Sequence, residues 1–229
     1  MRKEKSSSPF RRNGYLVDET LTSPKHTIHI ESVSFIMTKF TEHINNDHPT
    51  FKCFAAGNKE ENEELLVTVK NIINHGATEK DLELLKSNLQ LNNNELIDFY
   101  TKHNGLKLYC QKEEPSLEFF PIHELETANK EWKSWLEGLE ADEMYEFQQN
   151  GVAFGQVSGS GNYFIIYNGQ IFYSDHDEWE EVNLGITLNS FLDNLATNPA
   201  QMLEELGCYS RFSDGKTDKQ WIPKSYHQD

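Results

Sequence analysis

The residues best equipped for chemistry form an acidic cluster that starts at Asp175. Carboxylates and an imidazole can ligate a metal, but adjacent residues of an extended chain point to opposite faces, so Asp175, His176 and Asp177 make a poor ligand set. The same carboxylates can attract and pair with Lys and Arg side chains of a basic protein. We therefore expect a solvated turn or a partner-binding loop, with no metal and no other cofactor. The cluster comprises Asp175, His176, Asp177, Glu178, Trp179, Glu180 and Glu181.

Three glycines, Gly155, Gly159 and Gly161, precede this cluster and invite comparison with a phosphate-binding loop. Such a loop passes from a strand into the N-terminus of a helix, where backbone N–H groups and the helix dipole face the anion. Here the glycines lead into another β-branched and aromatic run, from Asn162 to Tyr167. We therefore expect a bend or a hairpin connection rather than a nucleotide site.

The sequence shows no nucleophile with an organised base. It has no Gly-x-Ser-x-Gly and no His-Glu-x-x-His motif, and no Ser or Cys has a convincing local context. Paired carboxylates are frequent in so acidic a chain and prove nothing by themselves. We therefore expect no catalytic residue and a protein that is not an enzyme, and keep a ligand-binding or enzymatic cleft in the sheet as an alternative class.

Charge gives the strongest global signal. The chain has 37 Asp and Glu against 21 Lys and Arg, a formal net charge of −16. After Lys133 no Lys or Arg occurs until Arg211, and the intervening 77 residues contain thirteen acids. Such a field repels nucleic acid and anionic membranes, and it attracts a basic protein surface. The alternative is an acidic face that keeps the protein soluble without a specific partner.

The N-terminus and the cysteines bear on the cellular compartment. The first twenty residues are basic and polar without an apolar core, and no stretch reaches the length of a membrane span. The cysteines, Cys53, Cys110 and Cys208, are odd in number and widely spaced, which fits reduced thiols rather than a disulfide framework or a zinc site. We expect a cytoplasmic protein.

A β-hairpin is predicted around Asn168-Gly169, the strongest short signal for a type I′ turn. Its register places Phe164, Ile166, Ile171 and Tyr173 on one face. The opposite face is also apolar. Either helices therefore cover both faces, or one face is a docking surface with aromatic anchors. The residues of the opposite face are Tyr163, Ile165, Tyr167 and Phe172.

Helical periodicity dominates the first half of the chain. Apolar residues ending at Phe40 and Ile44 predict one helix, and those from Leu65 to Ile73 predict a second. Capping signals at Thr78 and at Asn92-Asn93-Asn94 open two more.

Strands alternate with helices in the second half. Strands are predicted at Leu106–Cys110 and around Leu117, and helical composition extends from Ile122 to Gln149. After the hairpin, Thr187 caps a helix and Asn198-Pro199 opens a short last one. This order predicts an α+β fold with a mainly antiparallel sheet of about five or six strands flanked by helices, plus an additional helical N-terminal segment.

The series of motifs resembles the SUKH superfamily, the domains similar to the Smi and Knr regulators of cell-wall glucan synthesis. A Leu-x-Leu segment leads into an acidic and apolar helix that Asn-Gly ends, and apolar strands around a Gly turn precede a Ser-Phe-Leu helix. The matching pieces are Leu89-Gln90-Leu91-Asn92, Glu95-Leu96-Ile97-Asp98-Phe99-Tyr100, Asn104-Gly105, Gly155, Gly161-Asn162-Tyr163, Gly169-Gln170-Ile171-Phe172-Tyr173 and Ser190-Phe191-Leu192.

This resemblance implies a domain organisation. We expect a mobile arm at residues 1–27, an N-terminal helical extension at 28–76, a SUKH-like α+β domain at 77–207 and a C-terminal tail at 208–229. It also implies a binding protein, because bacterial members are mostly immunity proteins that bind and silence a toxin, whereas eukaryotic members regulate wall synthesis and signalling.

The expected function combines the resemblance with the charge. We expect a protein that neutralises a basic toxin domain by direct occlusion, without binding nucleic acid or membrane. The alternative is a regulatory scaffold that uses the N-terminal helices as its partner site. The residues expected to bind the partner are Asp175, Asp177, Glu178, Trp179, Glu180, Glu181, Tyr163, Tyr167, Phe172, Glu143 and Glu146.

Overall fold

The computed structural model describes residues 39–45, 49–55, 63–88, 93–137, 144–175, 181–184, 186–207 and 212–223. The arm expected at residues 1–27 and the first part of the first predicted helix lie outside these residues. The predicted partner residues at positions 143 and 177–180 also lie outside them.

Seven helices and ten strands make up the described chain. Residues 39–44 form α1. The other helices are α2 (Glu79–Asn88), α3 (Asn94–Lys102), α4 (Ile122–Trp135), α5 (Glu146–Asn150), α6 (Leu188–Thr197) and α7 (Pro199–Glu205). The strands are β1 (Thr50–Ala55), β2 (Glu64–Thr68), β3 (Lys70–Ile73), β4 (Leu106–Cys110), β5 (Leu117–Phe119), β6 (Val152–Val157), β7 (Asn162–Tyr167), β8 (Gln170–Ser174), β9 (Glu181–Asn183) and β10 (Trp221–Pro223).

The strands form two sheets. The larger sheet has seven strands in the order β3-β4-β5-β6-β7-β8-β9, and every neighbouring pair is antiparallel. A three-stranded sheet has the order β10-β1-β2 and is also antiparallel. The expected α+β fold, with a mainly antiparallel sheet and flanking helices, is confirmed.

The predicted hairpin is present with the predicted register. Ile166 lies opposite Ile171, and Phe164 lies opposite Tyr173. The backbone φ angles of Asn168 (48°) and Gly169 (77°) are both positive, as a type I′ turn requires. In the preceding β6–β7 turn, Gly159 and Gly161 also have positive φ, so these glycines connect two strands, as expected.

One prediction for the N-terminal segment is wrong. The apolar run from Leu65 to Ile73 forms β2 and β3 rather than a second helix. Burial alternates along this stretch with a period of two, and Leu66 and Ile72, taken as positions of a helical stripe, lie on its exposed face. The β-branched residues at positions 67–69 favour a strand, and pairing with β1 outweighs the helical periodicity.

The predicted helix caps are largely confirmed. The Thr78 side chain accepts a hydrogen bond from the Asp81 backbone N–H, and the Asp81 carboxylate accepts one from the Thr78 N–H in return. Asn93 Oδ1 accepts from the Leu96 N–H, and the Thr187 hydroxyl accepts from the Ser190 N–H. The predicted helix from residue 122 to residue 149 is present as two helices, α4 and α5, with residues 138–143 between them outside the description.

The C-terminal segment returns to the N-terminal strands. Trp221 pairs with Ala55 of β1, and its side chain is buried in the same hydrophobic cluster as the larger sheet. The division into an extension, a domain and a tail stays a prediction. The shared cluster nevertheless shows that the described parts of all three pack against each other.

Candidate functional site

Helix α6 covers one face of the β7–β8 hairpin. The Phe164 ring lies 5.1 Å from the ring of Phe191, centroid to centroid, and the Tyr173 hydroxyl donates a hydrogen bond to the Leu206 carbonyl. Asn162 donates to the same hydroxyl at 2.8 Å. This face is therefore closed by apolar packing and by satisfied polar groups.

Helices α4 and α5 cover the other face, which carries the predicted aromatic anchors. The Phe172 ring stacks on Phe147 of α5 with centroids 4.7 Å apart, and Trp132 of α4 donates to the Ser174 hydroxyl at 3.2 Å. Tyr163 is 3% exposed and Phe172 is 6% exposed. Of the two interpretations of the apolar hairpin, the structure favours helices on both faces.

Aromatic and acidic side chains reach the surface at the end of α4, at the start of α5 and at the end of β7. We call this surface the α4–α5 rim and define it by Trp135, Tyr145, Glu146 and Tyr167. Trp135 is 37% exposed and Tyr145 is 49% exposed. The Tyr167 hydroxyl donates to Glu146 Oε2 at 3.1 Å, which holds an acid beside an aromatic ring. The rim is thus the described surface that best combines exposed rings with a carboxylate.

Buried contacts position the exposed rings of the rim. The Tyr145 ring lies parallel to the buried Phe147 ring at 6.1 Å, and the Tyr145 N–H donates to Gln148 Oε1, which anchors the start of α5. The Trp135 ring meets the buried Tyr163 ring edge-on at 6.2 Å. A partner would therefore meet preorganised rings, which reduces the entropy cost of binding.

The structure divides the predicted partner residues between the two ends of the hairpin. Tyr167 and Glu146 lie at the turn end, whereas Asp175 follows Ser174, which lies opposite Tyr163. Tyr163 and Tyr167 are four residues apart on one strand, a separation of about 13 Å. Glu181 of β9 lies opposite Ser174, so its backbone belongs to the Asp175 end. Outside the described residues lie Glu143, Asp177, Glu178, Trp179 and Glu180.

Sequence reasoning missed Tyr145 and did not separate the roles of the two nearby tryptophans. Trp132 is buried and Trp135 is exposed, although they are three residues apart on α4. Residues three apart lie on one side of a helix. This spacing is therefore compatible with one buried tryptophan and one partly exposed tryptophan next to it. For Tyr145, no periodic signal exists, because it precedes a helix of five residues.

Ionisation of the neighbouring Tyr163 is suppressed. Burial, and then the negative charge of Glu131, raise the pKa of Tyr163 to about 12. The phenol is therefore neutral at physiological pH. It acts here as a packed ring rather than as an acid or a base.

A second buried polar cluster joins α1 to the larger sheet. The Tyr109 hydroxyl donates to the Leu195 carbonyl at 2.9 Å. His43 Nε2 lies 3.1 Å from the Tyr109 hydroxyl oxygen. Since the single hydroxyl hydrogen serves Leu195, His43 acts as the donor. Burial lowers the pKa of His43 and also that of His103, which Lys102 lowers further. Both imidazoles therefore favour the neutral form.

The described thiols are unreactive by environment. Cys53 and Cys110 are free and buried. Burial raises the pKa of Cys53 to about 12 and also raises the pKa of Cys110. The thiolate is the nucleophile, so neither position is prepared for thiol chemistry. Cys208 lies outside the described residues.

The described residues show neither a metal-binding cluster nor a membrane-spanning helix. Within the described ranges, no three His, Cys, Asp or Glu side chains gather closely enough to hold a metal ion. None of the helices in that part of the chain is both long and apolar enough to span a membrane.

Comparison with known proteins places the fold in a family. The sequence model of the SMI1 / KNR4 family (SUKH-1) matches residues 76–194, just over half of the chain. The match begins three residues before α2 and ends within α6, and it includes the hairpin, α4, α5 and the α4–α5 rim. No curated protein matches the chain. Strands β1–β3 and β10 lie outside the match. On this evidence, with the predicted and observed α+β fold, the chain belongs to the SMI1 / KNR4 family (SUKH-1).

Proposed function

We propose that this protein is an immunity-type binding protein that neutralises a basic toxin domain by covering its active cleft. Membership of the family fits an immunity-type or a regulatory protein, and proteins of this family typically bind protein partners. The observation that carries the choice is the segment 134–210, which contains thirteen acids and no Lys or Arg. The binding surface is the α4–α5 rim, extended by the acidic cluster.

The charge of this segment supports a basic partner. Glu146 accepts a hydrogen bond from Tyr167 of the hairpin, and Asp175 directly follows β8. In the sequence, residues 138–143 and 176–180 add further acids. The segment itself contains no Lys or Arg, and Lys133 immediately precedes it. An excess of negative charge of this kind accelerates encounter with a positively charged surface and suppresses wrong partners.

The aromatic rings of the rim supply short-range contacts. Trp135 and Tyr145 are partly exposed, and Glu146 directly follows Tyr145. Arg and Lys side chains of a partner can lie over such rings, at a gain of about 0.5–2 kcal/mol for each contact. Tyr and Trp are also the residues that most often dominate interface energies. The rim therefore combines long-range attraction with anchors.

One partner can reach both ends of the hairpin. A standard interface buries about 800 Å² on each side, a patch roughly 30 Å across. The two groups of predicted residues are separated by about 13 Å along β7. The α4–α5 rim and Asp175 therefore fit within one footprint, and the buried residues Tyr163 and Phe172 support it from below.

The experiment begins with co-expression of this protein and the product of a neighbouring toxin gene. We expect growth rescue and copurification of the pair. The association rate should fall steeply from low to high salt, because charge steering is screened by ions. The double substitution Tyr145→Ala/Glu146→Gln should weaken binding about tenfold or more, because it removes an aromatic anchor and a charge.

Leu84→Ala is the matched control. Leu84 is 44% exposed, similar to Tyr145, but it lies on α2 outside the rim. We expect this variant to bind as the unmodified protein does. A salt-independent association rate, or equal loss from both variants, contradicts the proposed surface. If the protein neither restores growth nor copurifies with a toxin, the regulatory alternative is favoured instead.

A further inference from the structure

Backbone hydrogen bonds along residues 64–74 point alternately to the two edges of the strand. The Val69 N–H donates to the Pro49 carbonyl at 3.0 Å, on the side of β1. The Asn74 N–H donates to the Gly105 carbonyl at 3.3 Å, on the side of β4. Along a strand, successive residues direct their hydrogen-bonding groups to alternate edges. Odd-numbered residues therefore face β1, and even-numbered residues face the opposite edge.

The alternation holds only if residues 64–74 contain no bulge, and the register of β3 with β4 shows that the bulge lies in β4. Lys70 lies opposite Cys110 and Ile72 lies opposite Lys107, so β4 holds the extra residue of a bulge. Tyr109, with a φ of 54°, lies within that bulge. The irregularity belongs to β4, and the parity from residue 64 to residue 74 is preserved.

The outer edge of β2 therefore exposes backbone hydrogen-bonding groups. Strand β2 is the last in the order β10-β1-β2, and among the described residues no strand pairs with its outer edge. Leu66 directs its N–H and C=O to this edge, and its side chain is 63% exposed, the largest value among the exposed large apolar residues. An unpaired edge carrying an exposed leucine is a template for another strand.

We propose that two copies of this chain form a twofold-symmetric dimer in which their β2 strands pair antiparallel at this edge. The twofold axis passes between Leu66 of one copy and Leu66 of the other, so that each covers the exposed side chain of its mate. Both belong to the even-numbered set, so they exchange two N–H···O bonds across the axis. Such a contact is isologous and closes after two copies.

The neighbouring positions are complementary in this register. Glu64 lies opposite Thr68 of the second copy, so no like charges are directly opposed. The next residue of the second copy on the same face is Lys70, diagonal to Glu64 at about 7–8 Å, which is within reach of long side chains. On the inner face, the half-buried Leu65 lies opposite the buried Val67 and loses further exposed surface.

Local charge permits this contact in spite of the net charge of −16. Glu64 lies 3.9 Å from Lys52, and Glu63 pairs with Lys219. The acids beside the edge therefore have cationic partners on the same copy. The acids of segment 134–210 lie outside β2, and salt screens repulsion between charges more than about 10 Å apart.

The first test is the oligomeric state of the purified full chain, measured by analytical ultracentrifugation over a wide range of concentration. We expect a monomer–dimer equilibrium. Leu66→Pro removes an N–H that points away from β1, so it leaves the β1–β2 pairing intact and blocks the outer edge. Leu66→Lys places two like charges at the twofold axis. Each variant should raise the dimer dissociation constant at least about tenfold while the circular dichroism spectrum stays unchanged.

The second test uses cysteine pairs in a Cys208→Ser background. Leu66→Cys brings two thiols to the axis, where hydrogen-bonded partners have Cα atoms about 5.5 Å apart, a distance that a disulfide spans. Thr68→Cys is the matched control, because its copies lie about 13 Å apart along the strands. We expect oxidation to crosslink the Leu66→Cys protein and not the control.

Three outcomes overturn the dimer. They are a chain that stays monomeric at every concentration, a dimer that both Leu66 variants leave intact, and equal crosslinking of the two cysteine variants. None of these measurements includes a toxin, so failure of the dimer leaves the proposed toxin binding unaffected.

Discussion

The β7–β8 hairpin and the three-stranded sheet bury their apolar residues differently. The hairpin is packed on both faces by helices, so only its ends and the α4–α5 rim reach the surface. The three-stranded sheet packs one face inward, where Phe51 meets Tyr109 and Phe212, and leaves Leu66 exposed on the other.

Charge separates the same two regions. Acids around the hairpin lie in a segment without Lys or Arg, whereas those at the three-stranded sheet are paired with lysines nearby. One region is therefore suited to a partner of opposite charge. The other is suited to a neutral, self-complementary contact. The contrast shows that a large net charge does not determine every surface of a protein.

Replacing one phenylalanine by alanine in each region should have the largest effect on the free energy of unfolding and should show how differently the two sheets are buried. Phe164→Ala should lower the free energy of unfolding by about 3–5 kcal/mol, because a fully buried ring that contacts Phe191 leaves a cavity. Phe54→Ala in the half-buried position of β1 should cost less than half of that. Denaturant unfolding measures both. Equal losses would show that the two sheets are buried alike.

Removing a hydroxyl from each region should have an intermediate effect. Tyr109→Phe should cost about 1–3 kcal/mol, because the Leu195 carbonyl and the His43 ring lose their partner in a buried site. Tyr167→Phe should change stability by less than about 0.5 kcal/mol, because its bond to Glu146 is exposed to solvent. A loss from Tyr167→Phe as large as that from Tyr109→Phe would contradict the assignment of Tyr167 to a surface.

A pH titration should show the smallest effect and test the contact between α1 and the larger sheet. The pKa values of His43 and His103 lie below the ordinary 6.5 in the folded protein, because burial disfavours the charged form. As the pH falls below 6.5, the unfolded chain binds these protons first, so stability decreases from that point down to the lowered pKa values. Lys39 and Glu42, which line the same surface pocket as His43, are the nearby charges.

The double substitution His43→Asn/His103→Asn provides the comparison for that titration. It should make the dependence of thermal unfolding on pH shallower between about pH 6.5 and the acid limit of folding. An unchanged slope would show that these imidazoles do not couple folding to protonation. Leu84→Ala should leave the slope of the unmodified protein intact.

Short sequence motifs were sufficient to predict turns and helix caps, because these depend on contacts between residues close together in the chain. The Asn168-Gly169 turn fixed the hairpin register, because a type I′ turn admits one pairing of its flanking residues. The caps at Thr78, Asn93 and Thr187 fixed three helix starts by hydrogen bonds that span three residues. The resemblance identified the family, because the order of these pieces is itself a property of the sequence.

Contacts between residues far apart in the chain decided the secondary structure of one segment and the exposure of several aromatic rings, which the short motifs did not predict. Leu65 to Ile73 fits a helical stripe, yet it became two strands, because β1 on one edge and β4 on the other offered hydrogen bonds that a lone helix could not match. The exposure of Trp135 and the burial of Trp132 depend on where α4 meets the sheet. The aromatic face of the hairpin was covered because α4 and α5 fold over it.

The sequence by itself determined the charge, the turns, the helix caps and the family of this protein, because each depends on residues close together or on their order. Only the tertiary structure decided which aromatic rings remain at the surface, that Glu146 meets Tyr167 and which strand lies at the end of the smaller sheet among the described residues. Those properties depend on contacts between residues far apart in the chain, and periodicity does not specify them.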